Sequence, residues 1–141
     1  MHDVIVVGGS FAGQSAAMQL ARARQDVLLV DAGRPRNRFA NASHGFLGQD
    51  GKAPHDIVRE AAGQLRRYST VEILHDEALD ALGFQGHFVV RLESGTERQA
   101  KRLILATGVV DALPDIPGMN ERWGKTVLHC PYCHGYEVRD R

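Results

Sequence analysis

This chain carries no surplus of charge, no apolar run of membrane-spanning length and only two cysteines in 141 residues. Each scarcity excludes something. Lysine plus arginine equals aspartate plus glutamate at 17 each, so no net field draws the chain to nucleic acid or to an acidic lipid surface. Without about 20 consecutive apolar residues there is no helical membrane span. The opening MHDVIVVGG has no basic segment ahead of its apolar residues, so no secretory leader is expected and a cytoplasmic location is. In a reducing compartment a close cysteine pair is more often catalytic or metal-binding than a structural staple. Internal repeats and low-complexity tracts are also missing. What remains is a folded chain, 43% hydrophobic, of a size for one domain and a modest core.

The first thirty residues hold the clearest pattern. DVIVVGG, 3 to 9, is a continuous apolar run ending in glycines, typical of a parallel strand buried on both faces. A helical pattern follows, with Ala12, Ala16, Leu20 and Arg24 four apart and Gly13, Ala17 and Ala21 on the same side. DVLLVD closes the unit at Asp31. Strand, glycine turn, helix, strand and acid make a dinucleotide-binding arrangement. Turn glycines let backbone approach a pyrophosphate, and the helix start offers N–H groups and partial positive charge. Asp31 lies where an acid meets ribose hydroxyls. The turn reads Gly8, Gly9, Ser10, Phe11, Ala12, Gly13, so Ser10 replaces the middle glycine of G-x-G-x-x-G. Its Cβ narrows the approach, although its hydroxyl can itself donate to phosphate. Arg34, Arg36 and Arg38 follow the acid. Arginine here can accommodate a 2′-phosphate, but Asp31 would repel one, so a solvated basic loop is the expectation.

FANASHGFLGQDGK, 39 to 52, reads as a loop. A helix is expected from Pro54, with Ile57, Val58, Ala61, Ala62 and Leu65 inward and Arg59, Glu60, Arg66 and Arg67 outward. VEIL, 71 to 74, reads as a short buried strand. Alternation at Phe88, Val90 and Leu92 and the ESGT turn predict about three antiparallel strands over 77–100, laid over the parallel sheet. LILATG, 103 to 108, re-enters the core as a further strand. LPDIPG is a stiff connector.

HCPYCHGYE, 129 to 137, holds both cysteines and admits three chemistries. As C-x-x-C-H it matches haem attachment, which normally requires export. As His129, Cys130, Cys133 and His134 it offers four metal ligands, but adjacent residues turn poorly toward one tetrahedral ion and no second cysteine pair exists. As C-x-x-C beside a nucleotide fold it is a redox disulfide. Inert core cysteines are the plain alternative.

VVGGSFAG, Asp31, LILATG, the proline-rich connector and CPYCHGYE, in this order and over nearly the whole chain, resemble the low-molecular-weight thioredoxin reductases. These are FAD/NAD(P)-dependent pyridine nucleotide-disulfide oxidoreductases. The CPYCHGYE form is most similar to a branch that includes thioredoxin reductase-like proteins and dithiol oxidases of gliotoxin-type pathways. The resemblance implies an α/β fold: a Rossmann-like FAD-binding domain, a parallel sheet with helices and a three-stranded antiparallel β-meander, then the start of a second domain. It implies FAD, with Gly8, Ser10, Phe11, Ala12 and Gly13 at the pyrophosphate and Asp31 at the adenosine ribose. Ala32, Gly33, Arg38, His44, Gln49, Ala78 and Ala106 are its further expected contacts, and Thr107 and Gly108 lie close to the flavin. Cys130 and Cys133 would form the redox disulfide, Cys133 facing the flavin and Cys130 exchanging with substrate. His134 stands where the family commonly has an acid, and an imidazole can serve the same proton transfer. Electrons would pass from NADPH to FAD, to the disulfide and to a thioredoxin-like protein or a small disulfide or dithiol, in a homodimer. No metal, nucleic acid or membrane partner is implied.

Two parts of that family pattern are missing: a second glycine fingerprint for NADPH, and the C-terminal return to the flavin domain. The chain is therefore expected to be about the N-terminal half of a reductase. Residues 1–112 would be an incomplete FAD-binding domain, and 113–141 the connector and start of the NADPH domain. A dithiol oxidase and a non-catalytic nucleotide-binding module are the alternatives.

Overall fold

The computed structural model describes residues 1–140. They form two compact units: residues 1–35 with 58–108, and residues 36–57 with 109 onward.

The first unit is built around strand β1 (His2–Val7), helix α1 (Phe11–Arg22) and strand β2 (Val27–Asp31). Helix α2 (Pro54–Leu65) leads into strand β3 (Val71–His75), followed by β4 (Ala78–Phe84), β5 (His87–Leu92) and β6 (Glu97–Leu105). The strand order is β3-β2-β1-β6-β5-β4. β1 pairs in parallel with β2 on one side and β6 on the other, so the chain order reverses at β1. In open α/β sheets that reversal opens a crevice beyond the carboxyl ends of the strands.

Alternation along the strands divides the core in two. Val4, Val6, Val27 and Leu29 pack with Ala17 and Leu65. Ile5, Leu28 and Val30 face the other way and pack with Val90, Leu92 and Ala100. The meander therefore covers the face opposite α1, as the sequence predicts. The sequence reading separates a meander strand ending at 100 from a core strand beginning at 103, whereas β6 is one strand that serves both. Its first residues pair antiparallel with β5, its later ones parallel with β1, and Ala100 has partners on both sides. The charged pair Lys101–Arg102 hides this continuity in the sequence, because both side chains leave the core. β3 also differs from expectation. It is an edge strand, paired only with β2, with Val71, Ile73 and Leu74 half-buried rather than enclosed.

Helix α1 ends at Arg22, and Arg24 takes a left-handed turn with φ 59°. Its buried stripe is Gly13, Gln14, Ala17 and Ala21, so the inward face is displaced by one residue from the Ala12–Arg24 row. Small side chains explain the choice, since they let the helix lie close to β1 and β2. Helix α2 follows its expected amphipathic pattern, with Ile57, Ala62 and Leu65 buried.

The second unit holds a short 3-10 helix (Arg36–Phe39), the loop that follows it, the extended connector after residue 108 and two four-residue helices, α3 (Met119–Arg122) and α4 (Pro131–His134). The loop closes on itself: Ser43 N donates to Lys52 O, Gly51 N to Ser43 O, and Gly45 N to the Asp50 carboxylate.

Candidate functional site

Three backbone segments of the first unit meet at the carboxyl ends of β1, β2 and β6. The first is the glycine turn. Gly8 has φ 110°, which L side chains rarely adopt. A Cβ on it would lie 2.2 Å from Ala106 O. A Cβ on Gly9 would lie 2.3 Å from the Asp31 carboxyl carbon, and one on Gly13 would lie 1.7 Å from Gly8 O. The three glycines thus have separate duties: admitting the end of β6, admitting the acid, and letting α1 close on the turn. The second segment is Ala106-Thr107-Gly108. Ala106 N donates to Val7 O at 2.8 Å, which holds the exposed Thr107 and Gly108 beside the turn.

The third segment is Asp31-Ala32-Gly33. The Asp31 Oδ1 accepts from Gly33 N at 2.9 Å, and Oδ2 has no donor among the described residues. Asp31, Ala32, Gly33 and Arg34 line a cleft of about 400 Å³ with His75, Asp76, Glu77 and Glu93. Hydrogen bonding from Ser94 holds the Asp76 carboxyl below the usual carboxylate range, and Glu77 N adds to it. Arg34 is paired with Glu77. The cleft is accordingly acidic, which suits ribose hydroxyls and disfavours a 2′-phosphate. The arginines are more committed than a solvated basic loop would be. Arg36 holds Asp111 through two bonds, Nε to Oδ2 at 2.9 Å and Nη2 to Oδ1 at 2.5 Å, and Arg38 lies over the Phe39 ring.

Ser10 is the N-cap of α1 in extended conformation, yet its side chain makes no capping bond. The first intrahelical bond runs from Gln14 N to Ser10 O, so the amides of Ala12 and Gly13 precede the helical ladder. A helix start of 12 residues with an uncommitted hydroxyl and a turn free of Cβ atoms fits a pyrophosphate. Asp31 Oδ2 fits a ribose hydroxyl. These residues therefore suit an FAD of the kind the family resemblance implies. Ala78 lies at the start of β4 opposite Leu92, with its side chain against the second core cluster.

The remaining expected residues lie in the second unit. His44 places Nδ1 3.6 Å from Asp50 and Nε2 3.5 Å from Glu137. Gln49 has a buried Oε1 without a protein partner. Cys130 and Cys133 are joined as a disulfide with Cα atoms 5.3 Å apart. Cys130 caps α4, and its sulfur accepts from Cys133 N at 3.0 Å. Cys130 and His134 are half-buried, whereas Cys133 is exposed. His129 stacks on Trp123 with ring centroids 5.5 Å apart, and its Nδ1 is buried without a partner. Trp123 lines a cleft of about 320 Å³ with Arg36, Phe39, Asp111 and Asn120.

Sequence reasoning gave Gly9 no role of its own, although the acid's side chain needs the space there, and it missed Gln14, which directly follows the fingerprint. It also missed the Arg36–Asp111 pair, for which a separation of 75 residues leaves no local signal.

The first unit thus carries an acid at the end of β2 and a glycine turn at the strand-order reversal, and the second unit carries a closed C-x-x-C. A family model described as pyridine nucleotide-disulphide oxidoreductase matches residues 2–140, and the chain belongs to that family. Thioredoxin reductase tcpT of Claviceps purpurea is 40% identical over 142 residues, covering 97% of this chain and 44% of the relative. Thioredoxin reductase sirT of Leptosphaeria maculans is 34% identical, covering 99% and 43%. The crystal structure of an oxidoreductase from Agrobacterium tumefaciens matches with a TM-score of 0.93 at 58% identity, covering 98% of this chain and 47% of that one. The chain thus spans a little under half the length of these relatives. None of its described helices is long and apolar enough to cross a membrane.

Proposed function

We propose that this chain is the FAD-binding half, with the start of the next domain, of a thioredoxin reductase-like enzyme. Electrons pass from NADPH through FAD to the Cys130–Cys133 disulfide and on to a thioredoxin-like protein or a small disulfide. The convergence of Gly8, Asp31 and Thr107-Gly108 at the ends of three adjacent strands is the observation that carries this reading.

FAD, when bound, supplies the two-electron carrier that neither cysteine nor nicotinamide alone provides to the other. The chain's own residues do the rest. Gly8, Gly9 and Gly13 keep the turn open, Ser10 and the amides of Ala12 and Gly13 would hold the phosphates, and Asp31 would anchor the ribose. Two electrons and two protons convert the disulfide to a dithiol. The Cys130 sulfur is the exchanging nucleophile, because the Cys133 N–H that it accepts also stabilises a thiolate there. Its attack on a substrate disulfide forms a mixed disulfide and releases one substrate thiolate. Cys133 then attacks Cys130, which re-forms the internal disulfide and releases the second thiolate. The two protons leave with the substrate thiols, and His134, next to Cys133 in the chain, is the group that handles them.

Anaerobic dithionite titration of the FAD-loaded chain tests this. Wild type should consume roughly twice the electrons per flavin that Cys130→Ser or Cys133→Ser consumes, since the disulfide and the flavin each hold a pair. Equal consumption in all three, or loss of flavin in both variants, would make the cysteines structural. With a single dinucleotide-binding fingerprint in its 141 residues, the chain should not sustain NADPH oxidation with a disulfide acceptor. Steady turnover by the purified chain would refute that part.

A further inference from the structure

Gln14 is the one polar residue fully enclosed in the first unit, 5% exposed on the inner face of α1. Burying an amide among alanines and valines is unfavourable unless its donors are used. Both are. Nε2 donates to Gly9 O at 2.9 Å and to Val58 O at 3.1 Å, while Oε1 is enclosed without a donor. Those two contacts fix which end of the amide is nitrogen, since both partners are acceptors. The bond to Gly9 holds the middle of the glycine turn from α1. The bond to Val58 ties that grip to α2, whose next turns anchor in the core through Ala62 and Leu65.

Gly9 needs such a hold. Two glycines in succession have no Cβ to restrict the backbone of the turn. The N-cap side chain that would commonly brace it, Ser10, makes no capping bond. The Asp31 carboxylate lies against Gly9, so movement of Gly9 would also disturb the acid proposed to anchor the ribose.

We propose that Gln14 is the positioning residue of the nucleotide site: it presets the Gly8-Gly9-Ser10 turn and the start of α1 for a pyrophosphate, without touching the ligand. This rests on the reading that the first unit binds FAD. A van der Waals-filling side chain at position 14 would keep the helix packed yet release the turn.

The test uses Gln14→Met, which keeps approximate volume, and Val90→Ala, which makes a cavity in the other core cluster, as a control for general destabilisation. Two measurements are made on the full chain: FAD dissociation constant by flavin fluorescence, and amide hydrogen exchange without FAD. Gln14→Met should weaken FAD by about tenfold, the size expected for losing two ordinary hydrogen bonds from a preset site. It should also speed exchange at residues 9–13, while Val90→Ala lowers the melting temperature and leaves FAD affinity within about twofold. Unchanged FAD affinity in Gln14→Met, or equal weakening in both variants, would overturn the proposal. So would unchanged exchange at the turn, which can be read whether or not FAD binds. Failure of wild type to bind FAD, with faster exchange in Gln14→Met, would instead refute the flavin reading and leave a preset turn for another ligand.

Discussion

Among single residues, the acids divide by what they face. Asp31 Oδ1 accepts from Gly33 N while Oδ2 has no donor among the described residues, whereas Asp3, Asp76 and Asp111 are held by other side chains. Lys101 holds Asp3 below the usual carboxylate range, Ser94 does so for Asp76, and the bidentate Arg36 for Asp111. A carboxyl whose folded pKa is depressed gives stability that is complete above its unfolded pKa and is lost as pH falls through the folded value. Acid should therefore loosen the chain from about pH 4 downward, where unfolded carboxylates protonate. Asp111→Asn should be less stable than wild type at neutral pH and should converge with it in acid. Urea midpoints at pH 7 and pH 3 check this. A difference that persists unchanged at pH 3 would show that Asp111 acts through shape and not charge. The glycine turn and the acid at the end of β2 were readable from sequence because they sit at fixed offsets within one strand-helix-strand unit. Gln14 was not, since an amide in a helix pattern reads as surface until its two carbonyl partners are seen. Asp111 was not either, because its partner lies far away in the chain.

At the level of elements, strand periodicity and the helical stripe predicted most of what formed. The run 97–105 was the exception. A strand that changes partners midway has no uniform hydrophobic period: its first part faces a meander and its last part a parallel neighbour. Continuity had to come from backbone pairing, with Ala100 as the residue bonded on both edges. β3 was read as buried because Val71, Ile73 and Leu74 are apolar, yet among the described residues no strand pairs with its outer edge. The shared β6 makes the meander part of the first unit's core and not an appendage. Leu92, at the end of β5, is fully buried against Ile5, Leu28 and Val30 in that second cluster. Leu92→Ala should cost about 2–5 kcal/mol, the range for a large-to-small change in a packed interior. Denaturant unfolding measures it. A cost under about 1 kcal/mol would mean that the meander does not share the core.

Across the whole molecule, the sequence carries the first unit almost completely, because a βαβ unit with its glycine turn is locally encoded. The second unit is less evident: its pieces come from 36–57 and from 109 onward, and no local signal joins them. The chain spans under half of these relatives, and on the proposed function this incomplete domain still binds FAD. The measurement that tests it most directly is an absorption spectrum of the purified 141-residue chain, taken after incubation with FAD and gel filtration. Flavin bands that elute with the protein, and that fade in Asp31→Ala, are expected. A protein peak without flavin bands, or one with a haem Soret band, would contradict it.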